Sequence, residues 1–322
     1  MLVDKQLAGA ENGGEVTVRP YRGQADLKLM QDLVISAPNP FEVFPTAAEL
    51  PEILDKPTSG SAGNSVLWED TDGQLLGFAI VSAYRNLHFH FGPGALTPKI
   101  EREMMAWAAD YARLRFGEES NIEPLTLDTT ARNDDAAKRS FLGRHGFFAT
   151  GTRTLDMVRS LERPVSRPRL PTGFALRPLA GEAEVEALVD AHRSAYGTDL
   201  MTVEERRAIM SAPHYKADFD LVATGPDDSI VAFCLCTVDE SENRRSGRQL
   251  GEISILGTRP ECRRRGLARA LVLEGLIALR AKRMAMAGLG VSSENEAAVR
   301  LYRSLGFRVE STREWYSKPI VV

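Results

Sequence analysis

The chain has 322 residues, a length that predicts about two domains, and its 43% hydrophobic and 26% charged residues are typical of a globular protein. Its formal net charge of −4 argues against a general nucleic-acid binder, and no apolar run is long enough to span a membrane. Three cysteines give no disulfide framework, and the N-terminus lacks a signal-peptide core, so we expect a cytoplasmic protein.

The first half of the sequence alternates strand-like runs with helical patterns. In chain order these are strand Val16–Pro20, helix Ala25–Ile35, a hairpin of Val66–Trp68 with Leu75–Tyr84 around Asp70–Gly73, strand Leu87–Phe91, helix Lys99–Phe116, strand Leu125–Asp128, helix Asp134–Arg144 and strand Thr150–Val158. The loop Gly92–Pro98, before the longest helix, contains no basic residue. This helix start therefore offers a phosphate few donors and no positive charge.

A proline-rich stretch, Glu162–Gly173, is the best candidate for a linker. We therefore predict domains at residues 1–162 and 174–322, joined by residues 163–173. The second domain is expected to contain strand Phe174–Pro178, helix Glu182–Ser194, a helix from Thr202 with a Thr202–Glu205 capping box, a hairpin of Asp220–Ala223 with Ile230–Asp239, a solvated loop Glu240–Arg248, strand Gly251–Thr258, a basic loop, a helix to about Arg280, strand Met284–Val291 and a helix from Asn295.

The two domains echo one another in sequence. Arg19-Pro20 is repeated as Arg177-Pro178, and Asp134–Phe141 is repeated as Asn295–Tyr302, which aligns Tyr302 with Phe141. Several echoes in order indicate a tandem of two like domains. Because the first copy lacks a basic loop and the tyrosine hydroxyl, we expect it to be a degenerate copy that serves as a scaffold or as a wall of the substrate cleft.

The basic loop of the second copy has the chemistry of a phosphate site. A helix that begins near Gly266 leaves its first backbone N–H groups unpaired, and the positive end of its dipole favours a pyrophosphate. Gly266 permits close approach, and the arginines at 263–265 add charge and forked donors. An arginine-rich, solvent-exposed helix start is the equally weighted alternative.

The order of these features resembles the GCN5-related N-acetyltransferases (the GNAT superfamily) over residues 174–322. The resemblance rests on strand Gly251–Thr258, the signature Arg263-x-x-Gly266-x-Ala268, the helix Asn295–Tyr302 and the turn Leu305-Gly-Phe307. It implies an α/β fold of two tandem GNAT-like domains, each a mixed, mostly antiparallel sheet flanked by helices. It also implies acetyl-CoA as cosubstrate, with no metal.

The resemblance implies a coenzyme site built on the key strand and the loop. In this family the key strand separates from its neighbour, so backbone groups of Leu256, Gly257 and Thr258 would pair with the pantetheine arm, and one N–H would stabilise the oxyanion. The other residues assigned to the coenzyme are Arg263, Arg264, Arg265, Gly266, Leu267, Ala268, Arg269 and Asn295. Asn295 has helix capping as its more ordinary role.

Two residues are the catalytic candidates. Glu252 opens the key strand and would share a face with Ser254 and Leu256 in a regular strand, so its carboxylate could accept the proton of the amine directly or through water. A surface glutamate is the alternative. Tyr302 would donate a proton to the leaving thiolate, as in the family, and a core aromatic is the alternative.

We therefore expect an N-acetyltransferase that acetylates a primary amine of an unidentified small molecule by direct attack in the second domain. The tandem layout also resembles the mycothiol synthases, which implies acetylation of a cysteinyl amine. A sensor or scaffold that binds acetyl-CoA without turnover is the non-enzymatic alternative. We expect a monomer or homodimer that binds neither nucleic acid nor membrane. The candidates for the acceptor site are His192, Tyr196, His214 and Tyr215.

Overall fold

The computed structural model describes residues 16–37, 45–47, 49–54, 63–117, 124–212 and 215–321. The first half contains β1 (Thr17–Pro20), α1 (Gln24–Ser36), α2 (Leu50–Ile53), β2 (Ser65–Glu69), β3 (Leu75–Val81), β4 (Leu87–Phe91), α3 (Pro98–Phe116), β5 (Thr126–Arg132), α4 (Ala136–Arg144) and β6 (Phe148–Ser160). The second contains β7 (Ala175–Pro178), α5 (Val185–Tyr196), α6 (Val203–Met210), β8 (Asp220–Thr224), β9 (Ile230–Thr237), α7 (Glu240–Ser246), β10 (Leu250–Thr258), α8 (Leu267–Ala281), β11 (Met286–Ser292), α9 (Glu296–Ser304) and β12 (Arg308–Pro319). The predicted α/β class is confirmed.

The strands form two sheets, and the larger sheet takes strands from both halves of the chain. An antiparallel sheet has the order β1-β2-β3-β4, and a mixed sheet has the order β5-β12-β6-β11-β10-β9-β8-β7. Strand β6 of the first half pairs with β11 along Met286–Ser292, while β12 of the second half pairs with β5 along Arg313–Pro319. The two halves are therefore joined through a shared sheet, and the linker at residues 163–173 stays a prediction.

The core of the second half lies between the mixed sheet and helices on both of its faces. Strand β9 turns Cys234 and Cys236 towards α8, where both thiols are buried. A Cβ atom at Gly275 of α8 would lie 2.6 Å from the Sγ of Cys236. The helix packs this closely because position 275 has no side chain. On the opposite face, Phe233 packs against α5.

Two local motifs have the structure that their sequences predict. The Thr202 hydroxyl accepts the N–H of Glu205 at 3.1 Å, and the Glu205 carboxylate accepts the N–H of Thr202 at 2.7 Å, which completes the capping box of α6. Between β2 and β3, Asp70 accepts the N–H of Gln74 at 2.8 Å, and Gly73 takes a φ of 77°. The hairpin around Asp70–Gly73 is thus confirmed.

Helix α9 of the second half matches α4 of the first in length and in capping. Both helices have nine residues, and the capping residues are Asp135 and Asn295. Counting from the caps places Tyr302 opposite Leu142, so the alignment of Tyr302 with Phe141 was wrong by one residue. Matching alanines dominated the sequence alignment, whereas the cap determines where each helix begins. The first half still has no hydroxyl at this position.

Candidate active site

A gap opens in the mixed sheet beside β10. Strands β10 and β11 run parallel, but their ladder covers only the pairs from Leu250↔Met286 to Glu252↔Gly288. Beyond Glu252, β10 continues along β9 to Thr258, while β11 continues along β6. The two strands therefore separate, and one edge of β10 is not paired with any strand in the described part of the chain.

A bulge in β10 decides which side chains share a face. The register against β9 shifts between Ile253 and Ile255, so Ser254 is an additional residue in the strand. Ile253 and Leu256 pack in the α8 core, whereas Ile255 packs against α5. Glu252, the neighbour of Ile253, therefore lies on the α5 face. The expectation that Glu252 shares a face with Leu256 is wrong because the strand is not regular.

Backbone alternation determines which groups of β10 face the gap. The N–H of Arg259 donates to the carbonyl of Val231 on β9 at 2.9 Å. Two residues earlier, Gly257 also turns its backbone groups to β9, while those of Leu256 and Thr258 face the gap. The structure thus brings the polar backbone groups of Leu256 and Thr258 to the gap, but not those of Gly257. At Gly257, the missing side chain makes room for the ring of Phe233 instead.

Side chains from two directions reach the carbonyls that face the gap. The Tyr196 hydroxyl at the end of α5 donates to the Leu256 carbonyl at 3.1 Å. The Nε of Arg263 donates to the Thr258 carbonyl at 3.3 Å, and another nitrogen of its guanidinium donates to the Ala195 carbonyl at 2.7 Å. The end of α5, the gap and the basic loop therefore form one continuous site.

The basic loop enters α8 through a left-handed glycine. Gly266 is the N-cap residue of α8 and has a φ of 84°. Because it has no side chain, it leaves the first N–H groups of the helix without a side-chain cap. A Cβ atom at this position would meet open space. The unpaired N–H groups and the positive dipole end of α8 lie beside a cavity of about 250 Å³. The cavity brings together these predicted coenzyme residues: Thr258, Arg263, Arg264, Gly266, Leu267, Ala268 and Arg269.

Four arginines around the start of α8 have no carboxylate partner among the residues described, namely Arg263, Arg264, Arg265 and Arg269, whereas Arg259 pairs with Asp190 at 2.5 Å. Arg264 lines the cavity, and Arg269 donates to the Ser304 hydroxyl at 2.8 Å. Arg265 does not line it; its guanidinium lies 5.9 Å from the centre of the Phe174 ring. Guanidinium groups without acidic partners, next to a helix N-terminus, are suited to bind a phosphate.

Asn295 and Tyr302 both take part in the packing of α9. Asn295 caps the helix through its side-chain oxygen. Tyr302 is 6% exposed, and its ring centre lies 5.7 Å from that of Phe307, edge to face. Burial raises the pKa of the Tyr302 hydroxyl, and nearby Cys234 and Tyr196 raise it further. The phenol therefore stays protonated at neutral pH and can donate a proton or a hydrogen bond.

The surroundings of Glu252 raise the pKa of its carboxyl group. Burial raises the pKa of its carboxyl, with a smaller contribution from Asp156, while Arg313 opposes the shift. In the described structure, Glu252 has no ion-pair partner, although Arg313 pairs with Asp156 at 2.7 Å. A half-buried carboxylate with a raised pKa is a reasonable general base.

Glu252 opens onto a cleft of about 550 Å³ between the two halves of the chain. The first half contributes Val34, Glu49 and His90 to its wall, and the shared sheet contributes Asp156 and Arg313. These residues come from distant parts of the sequence, and the sequence contains no local signal that brings them together.

Helix α7 forms another side of the cleft, which corrects a prediction. The stretch Glu240–Arg248 was expected to be a solvated loop, but Asp239 caps a helix there by accepting the N–H of Glu242 at 2.9 Å. Glu242 and Arg245 line the cleft and pair with each other at 2.5 Å. The aspartate followed by acidic residues was a helix-start signal that could have revealed this helix.

In the first half, the helix that corresponds to α8 is α3, and the backbone N–H groups at its start are not open to a ligand in the same way. Thr97 caps α3 by accepting the N–H of Ile100, and Pro98 at the first helical position has no N–H to donate. Phe89 of β4 and Phe141 of α4 pack with ring centres 5.2 Å apart. The start of α3 therefore offers a phosphate fewer N–H donors than the start of α8, and the expectation of a degenerate first copy stays a prediction.

The acceptor candidates fall into two groups. His192 and Tyr196 stack at 4.5 Å beside β10, whereas the Tyr215 hydroxyl donates inward to the Asp220 carboxylate at 2.8 Å. His214 lies outside the described residues. Within the described ranges, no group of three or more His, Cys, Asp or Glu residues is placed to hold a metal ion, and no helix is long and apolar enough to cross a membrane.

Residues 185–307, which contain the gap, the basic loop and α9, match the sequence model of the acetyltransferase (GNAT) family. The chain therefore carries a GNAT acetyltransferase domain. Mycothiol acetyltransferases are similar to it: that of Saccharomonospora viridis is 29% identical over 58% of this chain and 63% of its own length. That of Kineococcus radiotolerans is 34% identical over 47% of this chain and 48% of its own length. The chain thus spans about half to two thirds of the length of these relatives.

Solved structures extend the GNAT fold to the whole chain. A GCN5-related N-acetyltransferase from Sphaerobacter thermophilus superposes with a TM-score of 0.64 at 20% identity, over 95% of this chain and 96% of its own. A tandem GNAT protein from the clavulanic acid biosynthesis pathway superposes with a TM-score of 0.67 at 14% identity, over 96% and 99%. At such identities the likeness concerns the fold, and the predicted tandem of GNAT-like halves is confirmed.

Proposed function

We propose that the GNAT domain transfers an acetyl group from acetyl-CoA to a primary amine of a small molecule. The observation that carries this proposal is the meeting of the unpaired β10 edge with the open start of α8. A pantetheine arm would pair with the backbone of Leu256 and Thr258, and the pyrophosphate would lie over Gly266 and Arg264. The cleft on the Glu252 side would admit the acceptor.

The residues around this junction can perform a direct transfer. Glu252 would take a proton from the acceptor's ammonium group, directly or through water, so that the neutral amine can attack the thioester carbonyl. A gap-facing N–H of β10 would stabilise the oxyanion that forms. When the C–S bond breaks, the Tyr302 hydroxyl would donate its proton to the leaving sulfur. The first half would serve as a wall of the acceptor cleft, since Val34, Glu49 and His90 line it.

Acetylation of a cysteinyl amine is the second candidate, and it is favoured by the matches to mycothiol acetyltransferases. It differs from the general proposal only in the acceptor. The mixture of paired charges in the cleft, such as Arg248 with Glu310 at 2.8 Å, offers a polar acceptor many hydrogen-bond partners.

Calorimetry followed by a product assay tests both candidates. Acetyl-CoA is titrated into the purified chain, and then thiol release and mass change are followed with a panel of amines that includes cysteinyl amines. We expect one coenzyme site per chain and an acetylated amine. Binding without any product would favour a sensor or scaffold, and absence of binding would refute the assignment of the loop. Arg264→Ala should weaken the binding of acetyl-CoA. Arg300→Ala is a suitable control for it, because Arg300 lies on the exposed side of α9 and pairs there with Glu296.

A further inference from the structure

A small cavity lies behind β10, between α5, α6 and the mixed sheet. Its volume is about 10 Å³, the space that a single water molecule needs. Most of its wall is apolar and includes Val189 and Phe233. Three polar residues also line it: His192, Arg206 and Asp220.

Two of these polar residues are deeply buried, and two polar atoms at the cavity are incompletely paired. Arg206 is 4% exposed and Asp220 is 1% exposed, and the two form an ion pair. The Tyr215 hydroxyl donates to the same carboxylate at 2.8 Å. The Nε of Arg206 and the Nδ1 of His192, however, are buried without a hydrogen-bond partner in the described protein. Buried polar atoms are rarely left without a hydrogen bond. Two such atoms on the wall of one cavity therefore indicate that a further group in the cavity bonds to both.

We propose that this cavity is a built site for one water molecule, which joins His192 of α5 to Arg206 of α6 and Asp220 of β8. The water would accept the Nε–H of Arg206 and donate to the Asp220 carboxylate. Its third hydrogen bond would go to the Nδ1 of His192, which gives the number of partners typical of a buried water.

The network continues to the strand that the proposed function assigns to the coenzyme, and this step rests on that function. The ring centre of His192 lies 4.5 Å from that of Tyr196 and 5.5 Å from that of Phe233. Phe233 packs over Gly257, and Tyr196 donates to the Leu256 carbonyl. His192 is therefore a positioning residue, which keeps the Tyr196 hydroxyl at the gap before the coenzyme arrives.

The charge state of His192 agrees with this arrangement. Burial lowers the pKa of its imidazole, and the nearby Arg206 guanidinium lowers it further. The ring is therefore neutral at pH 7, and its Nδ1 can share a hydrogen bond with water beside a cation. The other titratable groups that face it are Asp220, Tyr196 and, through Asp220, Tyr215.

A high-resolution crystal structure and a cavity-filling variant test the water site. We expect density for one water within hydrogen-bond distance of His192, Arg206 and Asp220. Val189→Ile would push a methyl group into the cavity, expel the water and lower Tm. Val185→Ile, at a buried position of α5 outside the cavity, is the control for overpacking. A cavity without density, or a Tm raised by Val189→Ile alone, would overturn the proposal.

Acetyl-CoA calorimetry tests the positioning role. His192→Phe keeps a ring between Tyr196 and Phe233 but removes Nδ1. Measured at a temperature well below the Tm of the variant, the Kd for acetyl-CoA should rise several-fold. A purely structural role would lower Tm and leave Kd unchanged, and that result would overturn the positioning role. If the wild-type protein bound no acetyl-CoA, the proposed function and the positioning role would both fail, while density and Tm would still decide the water site.

Discussion

Replacing Gly266 by glutamate perturbs the proposed coenzyme loop where it enters α8. The change forces a side chain onto a backbone with a φ of 84° and places a carboxylate where the open end of α8 faces the cavity. A non-glycine residue in this conformation costs about 1–2 kcal/mol of stability. Because a Cβ at position 266 meets open space, no further steric cost arises within the protein.

The loss of coenzyme affinity should be larger than the loss of stability. A carboxylate about 6 Å from one phosphate charge, at an effective dielectric constant of ~20, repels it by about 3 kcal/mol. This energy corresponds to about a 100-fold increase in Kd. The side chain would also occupy space that the pyrophosphate needs, so we regard this factor as a lower bound.

Gly73→Glu is the matched control for this experiment. Gly73 has a φ of 77°, also borders open space, and lies in the β2–β3 turn of the first half. Calorimetry should find one acetyl-CoA per chain in the wild type and in Gly73→Glu, with about 100-fold weaker binding in Gly266→Glu. Both variants should lose similar stability in thermal unfolding. Equal affinity in all three proteins would refute the loop assignment, and a second site per chain would refute the prediction of a degenerate first half.

Three further predictions concern catalysis and packing. Tyr302→Phe should lower kcat by about 100-fold and leave the Kd for acetyl-CoA unchanged, because only the proton donor is lost; equal turnover in a steady-state assay would remove Tyr302 from the mechanism. The raised pKa of Glu252 means that the folded state binds its proton more tightly than the unfolded chain, so stability falls as pH rises from the unfolded pKa through the folded one. Glu252→Gln should therefore raise Tm at pH 7 but not below pH ~4, and an unchanged Tm at pH 7 would contradict the shift. Gly275→Ala should destabilise the fold by about 1–3 kcal/mol through the contact with Cys236, and Cys236→Ala should relieve part of this cost. Strictly additive losses in urea unfolding would argue against that contact.

Signals that act over a few residues can be read from the sequence alone. The capping box of Thr202 and Glu205 and the turn at Asp70–Gly73 form as predicted, because neighbouring backbone and side-chain atoms suffice to make them. The loop around Gly266 belongs to the same class, since an arginine-rich segment before an uncapped helix has its chemistry in consecutive residues. Sequence reasoning missed α7, although its cap at Asp239 was a local signal.

Errors arose where the structure depends on contacts between distant segments. The bulge at Ser254, defined against β9, moves Glu252 to the face opposite Leu256, and no propensity of β10 itself predicts this shift. The counterpart of Tyr302 became clear only when both helix caps were located in three dimensions.

By itself, therefore, the sequence determined the order of elements, the tandem repeat and the basic helix start at Gly266, since these depend on periodicity and on groups close together in the chain. Three features became visible only in the tertiary structure. Strand β6 of the first half pairs with β11 of the second, and β12 of the second half pairs with β5 of the first. The cleft between the halves and the buried pair of Arg206 and Asp220 are the other two. Strand pairing and the burial of charge are settled by competition among segments that are far apart in the chain, and that competition leaves no signature in any single stretch of residues.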